Sequence, residues 1–227
     1  MASPRIAILA SGSGTTAESF IKSVINKEVS GEVVLLVCNN KKAKVFERIR
    51  NLNKSHNLNI QAVHIGKSTH PPVGDEPVEF GRQTAAEEKA ILKLLIDMRI
   101  DLVLLLGYMK LVGKSIVDTY GWKEDFRSVY QSRMINTHPG LLPATKGLYG
   151  IHVQKAVITR GMKAGHCLFA VDSEYDDGPV ISHHEIPRVP DETPDELFER
   201  IKASEKAHLA RDVDRFIINQ QKYQGEH

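Results

Sequence analysis

The sequence predicts a single-domain α/β fold with a mainly parallel, Rossmann-like sheet flanked by helices. Short apolar runs alternate with amphipathic stretches at the spacing that parallel strands and their crossover helices require. The chain has 227 residues, enough to bury a large core without disulfides or metals. It shows no internal repeat and no composition shift that would divide it, so we expect one domain over residues 1–227.

The first half of the chain contains four apolar runs typical of buried strands. They lie at 5–10, 31–38, 60–65 and 101–106. Because each run is nearly continuous rather than alternating, each predicts a parallel strand that is covered on both faces. Helical periodicity follows Thr16 and recurs at 42–52 and 83–98, and a proline-rich stretch at 67–77 predicts a loop.

The second half predicts a change in strand direction. The predicted elements are a short helix at 114–120, an irregular stretch at 122–131, a fifth strand at 132–136, a loop at 145–150, a helix at 152–160 and two strands at 164–171 and 179–187. The last two strands are joined by a short turn, which favours an antiparallel extension of the sheet. Thr193 and Glu196 then predict a capping box for a long amphipathic final helix.

Composition excludes several classes of protein. The net charge of +2 comes from 30 basic and 28 acidic residues spread along the chain, so no basic block predicts a nucleic-acid partner. Apolar runs stay well short of the roughly 18 residues that a membrane span needs. The beginning of the chain lacks a secretory leader, so we expect a cytoplasmic protein that binds no membrane. Cys38 and Cys167 lie in apolar runs and are interpreted as core residues.

A glycine-rich turn at 11–16 joins the first strand to the first helix. Such a turn points free backbone amides at an anion. It lacks the third glycine of a dinucleotide fingerprint and the lysine of a Walker loop. Two interpretations stay open: a tight turn with Thr15 or Thr16 as the helix cap, or a phosphate-binding loop. The hydroxyls of Ser11, Ser13, Thr15 and Thr16 favour the second.

Asn136 and His138 form a polar pair at the end of the fifth predicted strand. They alternate along the chain, so both side chains can face one side of the sheet. Ligands bind at the carboxyl ends of strands in open α/β sheets. A lone Asn or His at a strand end usually caps a turn, whereas an amide and an imidazole together can polarise a carbonyl and move a proton.

A second polar turn, Asp176-Asp177-Gly178-Pro179, separates the two antiparallel strands. A turn aspartate commonly bonds its own backbone, which would make this an ordinary surface turn. A carboxylate brought to His138 by the fold would instead raise the pKa of that histidine and orient its ring. The remaining histidines of the second half lack the spacing of metal ligands and are interpreted as structural or surface groups: His152, His166, His183, His184 and His208.

Four motifs occur together and in order. They are Ser11-Gly12-Ser13-Gly14, Gly107-Tyr108-Met109-Lys110-Leu111, Asn136-x-His138-Pro139-x-Leu141-Leu142-Pro143 and Asp176-x-Gly178-Pro179. In this order and spacing they resemble the folate-dependent formyltransferases over essentially the whole chain. The family member that the chain most resembles transfers the formyl group of 10-formyltetrahydrofolate to the amine of glycinamide ribonucleotide in purine synthesis. The resemblance implies the formyltransferase fold, these two small molecules as partners, and no metal.

The resemblance also implies roles for individual residues. Asn136, His138 and Asp176 match the catalytic residues, because the family carboxylate lies three residues before the proline of its turn. We expect the Asn136 amide and a protonated His138 to stabilise the oxyanion, with Asp176 holding the ring. The implied substrate phosphate-binding residues are Gly12, Ser13, Gly14, Thr15 and Thr16, the other ribonucleotide contact is Glu205, and the folate-binding residues are Arg82, Met109, Lys110, Leu111, Val112 and Asn136.

These roles divide the chain into a phosphate-binding half at 1–113 and a catalytic and folate-binding half at 114–227. We expect a monomer or a weak homodimer. The sequence departs from the family pattern at three positions of the site: Phe169 replaces a histidine often found there, Thr16 replaces an asparagine and Lys110 replaces an arginine. The loop at 146–150 is also longer than usual, and the stretches at 67–77 and 122–131 resemble insertions.

Three other functions share part of this pattern. A relative that formylates methionyl-tRNA or a sugar nucleotide would have the same Asn-His-Asp core, but transfer-RNA formylation is expected to come with a C-terminal barrel and a basic surface. A formyltetrahydrofolate hydrolase would use water as acceptor and would not need the phosphate loop. A non-catalytic nucleotide- or folate-binding module would need none of Asn136, His138 and Asp176.

Overall fold

The computed structural model describes residues 3–77 and 79–226, so Met1, Ala2, Val78 and His227 of the predicted 1–227 domain lie outside the described residues. The strands are β1 Arg5–Ala10, β2 Glu32–Cys38, β3 Gln61–His64, β4 Leu102–Leu105, β5 Met134–His138, β6 Ala164–Ala170 and β7 Val180–Ile186. The helices are α1 Thr15–Ile25, α2 Val45–His56, α3 Ala85–Asp97, α4 Lys114–Tyr120, α5 Ile151–Thr159 and α6 Pro194–Glu226, with a 3-10 turn at Val129–Gln131.

In the described part of the chain, these strands form one sheet in the order β3-β2-β1-β4-β5-β6-β7. Strands β1 to β5 are parallel, whereas β6 is antiparallel to both β5 and β7. This confirms the predicted mainly parallel sheet and its antiparallel extension. The chain runs from β1 outward to β3 and then returns to place β4 on the other side of β1. The reversal creates a switch point between the ends of β1 and β4, where open α/β sheets bind ligands.

Two apolar layers hold the sheet between the helices. In β1, Ile6 and Ile8 pack on the side of α1, α2 and α6, whereas Ala7 and Leu9 pack on the side of α3 and α4. One continuous apolar run therefore fills both layers, because successive strand residues point to opposite faces. Full burial of each Ile or Leu side chain stabilises the fold by about 1.5–3 kcal/mol. This packing fixes the strand ends that carry the polar groups.

Helix α6 confirms the capping box and the amphipathic stripe that predicted it. Thr193 and Glu196 form the capping box: Glu196 N donates to Thr193 Oγ1 at 3.3 Å, and Thr193 N donates to Glu196 Oε2 at 2.8 Å. The buried residues of its apolar stripe are Leu197, Ile201, Leu209, Val213, Phe216 and Ile217. The first two pack with α5 and β6, and the rest pack with α1 and β1. The helix thus contacts elements from both halves of the chain.

Two predicted boundaries near the polar strand ends are wrong. The predicted fifth strand ends at Asn136, but β5 continues to His138 because its last two residues pair with β6. The alternative of Thr15 or Thr16 as helix cap is also wrong, since Gly14 caps α1 with φ of 73°. A side chain at Gly14 would collide with Val45 of α2. Close packing of α2, rather than hydroxyl capping, therefore sets this turn.

Three histidines form a stack between β6, β7 and α6. The ring centroids of His166 and His184 are 4.9 Å apart, and those of His184 and His208 are 4.0 Å apart. His184 Nε2 lies 2.6 Å from Asp212 Oδ2. Burial, together with the charges of His184 and His208, lowers the pKa of His166 to about 4. His166 is therefore neutral at pH 7, as a structural core group.

Cys38 and Cys167 are buried free thiols, which confirms their interpretation as core residues. Among residues 3–77 and 79–226, no helix combines the length and the hydropathy that a membrane span requires. Within the same ranges, no group of three or more His, Cys, Asp or Glu side chains is arranged to hold a metal ion.

Candidate active site

Strand β5 directs its side chains alternately to the two faces of the sheet. Ile135 packs in the layer under α6, and Thr137 hydrogen-bonds a carboxylate of that helix. Met134 packs in the opposite layer, with α3 and α4. By the two-residue period of a strand, Asn136 and His138 lie on the same face as Met134. The fold therefore places the predicted polar pair on one face, at the carboxyl end of β5.

His138 is buried, with 3% of its surface exposed. Its Nδ1 lies 3.6 Å from Asp176 Oδ2, and its Nε2 lies 3.0 Å from Thr145 Oγ1. Burial lowers the pKa of His138, while the charge of Asp176 and a hydrogen bond with the Thr145 backbone raise it. The effect of Asp176 has the expected sign, but burial outweighs it. A lowered pKa favours the neutral ring at pH 7 in the ligand-free protein, so the expected protonation of His138 during catalysis stays a prediction.

The loop at 171–179 returns Asp176 to His138. Strand β6 is antiparallel and ends beside the start of β5, so this loop folds back along β5 to reach its far end. Gly178 permits the fold, because a Cβ there would collide with the Ala170 carbonyl oxygen. Asp176 has a left-handed φ of 54°, and such strain at a non-glycine residue often marks a functional site. Its Oδ2 also accepts a hydrogen bond from Gly147 N at 3.2 Å.

The adjacent Asp177 points away from this centre. Its Oδ1 lies 2.5 Å from Lys146 Nζ, and both side chains are more than 40% exposed. An exposed pair of this kind adds little to stability, because water screens the two charges. The spacing of the sequence does not distinguish the two carboxylates, but the fold brings Asp176, not Asp177, to His138.

Asn136 is half-buried, opposite Leu105 of β4 and Phe169 of β6. Residues directly opposite each other on antiparallel strands share one face of the sheet, so the Phe169 ring lies beside the Asn136 amide. Phe169 is 2% exposed. At this position, where the family often has a histidine, the chain presents a buried apolar wall that can neither donate nor accept a proton.

The glycine-rich turn at 11–16 leaves its backbone accessible. Gly12 and Ser13 are exposed, and Arg48 of α2 holds the turn by donating from Nε to Ser13 O at 2.9 Å. The first helical residues are Thr15 and Thr16, so their amides lie at the positive end of the helix dipole. This geometry suits an anion such as phosphate.

Ser11 joins this turn to the segment after β4. Its N donates to Gly107 O at 3.1 Å, and its Oγ accepts from Met109 N at 2.8 Å. The Ser11 hydroxyl, expected from the sequence to favour an anion, thus binds the neighbouring loop. The turn and the predicted folate segment consequently meet at the switch point between β1 and β4.

Glu205 of α6 lies between the turn and β5. It accepts a hydrogen bond from Thr16 Oγ1 at 3.4 Å and another from Thr137. Burial raises the pKa of Glu205 to about 7, and these hydrogen bonds act in the opposite direction. The structure therefore brings the predicted ribonucleotide contact to the phosphate turn on one side and to the predicted catalytic strand on the other.

The predicted folate residues differ in exposure. Met109 is 54% exposed, and Arg82 is exposed beside Leu111, with which it forms a β-bridge. Val112 is buried in the layer formed with α3 and α4. The fold thus gathers these four residues in one region, but a ligand there could meet Val112 only through its backbone.

Lys110 forms a buried ion pair with Glu87 of α3. Its Nζ lies 2.5 and 2.6 Å from the two carboxylate oxygens, and Glu87 is fully buried. Removing either partner would leave an uncompensated buried charge, which is strongly unfavourable. The ammonium group therefore faces α3 and fixes the predicted folate segment to that helix.

Sequence reasoning missed two residues of the site. The Tyr175 hydroxyl donates to Gly81 O at 2.7 Å and accepts from Leu111 N at 3.1 Å, so it joins three loops. Thr145 contacts the His138 ring. In the sequence, Tyr175 and Thr145 are marked only by lying next to a motif. An ordinary loop residue can lie there too, so this position does not identify them.

Two cavities lie away from this region. One of about 610 Å³ is lined by residues of the segment 189–200, and one of about 390 Å³ is lined by residues of 162–164 and 185–188. None of the predicted site residues lines either cavity. The candidate site lies instead at the carboxyl ends of β1, β4 and β5, as expected for ligands that bind across strand ends.

The open, mainly parallel sheet with polar groups at its switch point defines a Rossmann-like ligand-binding protein. A family model described as "Formyl transferase" matches residues 4–213. The chain belongs to the formyl transferase family. This confirms the resemblance drawn from the four motifs.

Relatives and solved structures agree with this membership. The chain is 31% identical over 183 residues to phosphoribosylglycinamide formyltransferase of Bacillus subtilis, covering 80% of this chain and 78% of that protein. It is 30% identical over 200 residues to the chloroplastic enzyme of the same name from Arabidopsis thaliana, covering 87% of this chain and 60% of that protein. The crystal structure of the Bacillus halodurans phosphoribosylglycinamide formyltransferase superposes with a TM-score of 0.75 at 30% identity, covering 94% of this chain and 95% of that one.

Proposed function

We propose that the chain transfers the formyl group of 10-formyltetrahydrofolate to the primary amine of glycinamide ribonucleotide. The observation that carries this proposal is the convergence of Asn136, His138 and Asp176 at the end of β5. The relatives named phosphoribosylglycinamide formyltransferase support glycinamide ribonucleotide as the acceptor, and the resemblance to folate-dependent formyltransferases implies the donor.

The arrangement of the site supports one direction of binding. The ribonucleotide phosphate would bind the turn 12–16 at the start of α1, and Glu205 would meet the ribose next to it. Formyl folate would lie along the segment 109–112, on the same edge of the sheet. Strands β1 and β5 flank β4, so the turn after β1 and His138 at the end of β5 lie on the same edge of the sheet. The amine of the ribonucleotide and the formyl group of the folate would therefore meet at His138.

The chemistry needs one proton acceptor and one oxyanion donor. The neutral amine attacks the formyl carbon, and the carbonyl electron pair moves onto oxygen. An N–H of Asn136 stabilises that oxyanion, and neutral His138 accepts the proton that the amine nitrogen loses. The bond from the formyl carbon to folate nitrogen then breaks as the carbonyl re-forms, and the imidazolium returns its proton to the departing nitrogen. Asp176, 3.6 Å from Nδ1, stabilises the transient cation.

A direct assay tests this function. The protein is mixed with 10-formyl-5,8-dideazafolate and glycinamide ribonucleotide, and loss of the formyl group is followed by absorbance. We expect deformylation that requires the ribonucleotide. Deformylation in its absence would indicate a hydrolase. Transfer to methionyl-tRNA or an amino-sugar nucleotide alone would indicate a different acceptor, and ligand binding without any deformylation would indicate a non-catalytic module.

We further propose that the protein works in the cytoplasm as a monomer or weak homodimer. Cell fractionation and sedimentation equilibrium test these two points. Recovery in a membrane fraction, or a tight oligomer at nanomolar concentration, would contradict them.

A further inference from the structure

Thr145 contacts the ring nitrogen of His138 that faces away from Asp176. Its Oγ1 lies 3.0 Å from His138 Nε2 and donates to Leu141 O at 3.2 Å. Thr145 is 1% exposed. Neither the family resemblance nor the proposed reaction assigns this residue a role.

The position of the hydroxyl is fixed from two sides. A side chain at Gly140 would collide with Thr145 Oγ1, so the glycine allows the turn to close over the hydroxyl. Gln154 of α5, itself fully buried, donates from Nε2 to Pro139 O at 2.8 Å and holds the beginning of the same turn. Thr145 is also β-branched, which limits its rotamers. These contacts fix the position of the hydroxyl next to His138 Nε2.

The hydrogen-bond pattern selects one tautomer of the neutral ring. A hydroxyl has a single proton, and Leu141 O can only accept, so the Thr145 proton points to Leu141. The Thr145 oxygen then accepts from a protonated Nε2. The reverse tautomer would lose the bond to Leu141 and would place a proton on Nδ1, whose distance of 3.6 Å from Asp176 is too long for a hydrogen bond. One tautomer forms both bonds, and the other forms only one.

We propose that Thr145 is a positioning residue that holds neutral His138 with its proton on Nε2, so that Nδ1 is the ring nitrogen that accepts the proton during formyl transfer. The kinetic part of this proposal rests on the proposed function, whereas the tautomer itself does not. In this state the lone pair of Nδ1 faces Asp176, so the proton arrives where a carboxylate can stabilise the resulting cation.

The tautomer is measured first, on the wild-type protein, by ¹⁵N NMR of the histidine rings above pH 7. The His138 signals are assigned by their loss in His138→Gln. We expect a protonated Nε2 and an unprotonated Nδ1. A proton on Nδ1 in the wild type would overturn the proposal, and this result depends on neither the folding of a variant nor catalysis.

Variants at Thr145 then test the effect of the hydroxyl. Thr145→Val keeps the shape and removes the hydroxyl, whereas Thr145→Ser keeps the hydroxyl. We expect Thr145→Val to shift the His138 proton toward Nδ1 and to lower kcat about 10- to 100-fold with KM unchanged, the size of effect known for lost partners of metal-binding histidines. The imidazolium form of His138 loses the Thr145 oxygen as an acceptor, which lowers the pKa of the ring. The acid limb of the pH profile of Thr145→Val therefore moves to lower pH.

Thr159→Val is the matched control, since the Thr159 hydroxyl also donates to the carbonyl four residues earlier but lies exposed on α5. We expect Thr145→Ser to restore most of kcat and Thr159→Val to leave it unchanged. Equal loss in Thr145→Ser and Thr145→Val, or wild-type kcat in Thr145→Val, would overturn the positioning role. A wild type without formyl transfer would instead overturn the proposed function and leave the NMR result to decide the tautomer.

Discussion

At the scale of single residues, two buried ionisable groups decide how the site responds to pH. Burial lowers the pKa of His138 and raises the pKa of Glu205 to about 7, so each shift favours the uncharged form. A neutral His138 can accept a proton from the amine. A partly protonated Glu205 reduces the repulsion that an anionic ribonucleotide would otherwise meet beside the turn at 11–16.

Glu205→Gln tests the shift at Glu205. Because its pKa is raised from 4.5 to about 7, the folded protein keeps a proton that the unfolded chain loses between these values. The stability that this group contributes is present below pH 4.5 and is lost as the pH rises to 7. We expect wild-type stability to fall by up to about 3 kcal/mol relative to the variant over this range. Urea unfolding at pH 5 and pH 8 measures it, and the same pH dependence in both proteins would contradict the shift.

Asn136→Ala tests the oxyanion donor. Removing one such donor lowers kcat by about 10²–10³-fold, because charge that develops on the formyl oxygen loses a fixed partner. Steady-state kinetics with both substrates measures the change. Asn219→Ala is the control, since the Asn219 amide lies on α6 and bonds Tyr130 Oη. An unchanged kcat in Asn136→Ala would remove Asn136 from the mechanism.

Sequence reasoning predicts some of these residues and misses others for physical reasons. The common face of Asn136 and His138 follows from strand alternation, which is a local property. The choice of Asp176 over Asp177 depends on a loop that folds back along β5, and residue types alone do not show that path. The net pKa of His138 depends on burial by the surrounding fold. The residue types therefore predict that Asp176 raises this pKa, but not that burial lowers it overall.

At the scale of elements, the loop at 171–179 holds the site together. It carries Asp176 to His138 and, one residue earlier, places the Tyr175 hydroxyl between Gly81 O and Leu111 N. One short loop therefore connects the predicted catalytic strand with the predicted folate segment. The Tyr175 hydroxyl therefore links the predicted folate segment to the loop that carries Asp176.

Tyr175→Phe tests this connection. The variant keeps the ring and loses two partly exposed hydrogen bonds, which together contribute on the order of 1 kcal/mol. We expect faster hydrogen exchange at amides 172–178 and a higher KM for the formyl folate, with little change in the rest of the sheet. Tyr149→Phe, at another exposed tyrosine, is the control. Unchanged exchange in Tyr175→Phe would show that the hydroxyl does not hold the loop.

Element boundaries show where local patterns stop being sufficient. Strand β1 is predicted to the residue because its continuous apolar run is buried on both faces. The end of β5 is not predicted, because pairing with β6 extends it. The cap of α1 is not predicted either, since Val45 of α2 forces Gly14 into that position. Both misses come from contacts between residues about 30 positions apart in sequence.

At the scale of the whole molecule, α6 joins the two halves of the chain. It packs on α5 and β6 near its start and on α1 and β1 further along, and its Glu205 bonds Thr16 between them. The proposed single domain should therefore unfold as one unit, although its functional halves are contiguous in sequence. The order of the four motifs predicts this fold, because each motif marks the end of a strand or a turn beside the switch point.

Chemical unfolding tests the single domain. Trp122, the only tryptophan, reports on the 114–227 half, whereas far-ultraviolet circular dichroism reports on all helices. We expect the two transitions to coincide in urea, as for cooperative two-state unfolding. Separate midpoints for fluorescence and dichroism would show that the halves unfold independently.

The central claim is that Asp176 and His138 form the formyl-transfer centre, and the most direct measurement is kcat for ribonucleotide-dependent formyl transfer in Asp176→Asn and Asp177→Asn. The two changes are chemically identical and adjacent, but only Asp176 faces the imidazole. We predict that Asp176→Asn lowers kcat by about 10²–10⁴-fold, because the imidazolium loses its counter-charge, whereas Asp177→Asn stays close to wild type. Near-wild-type turnover in Asp176→Asn, or equal loss in both variants, would contradict the account.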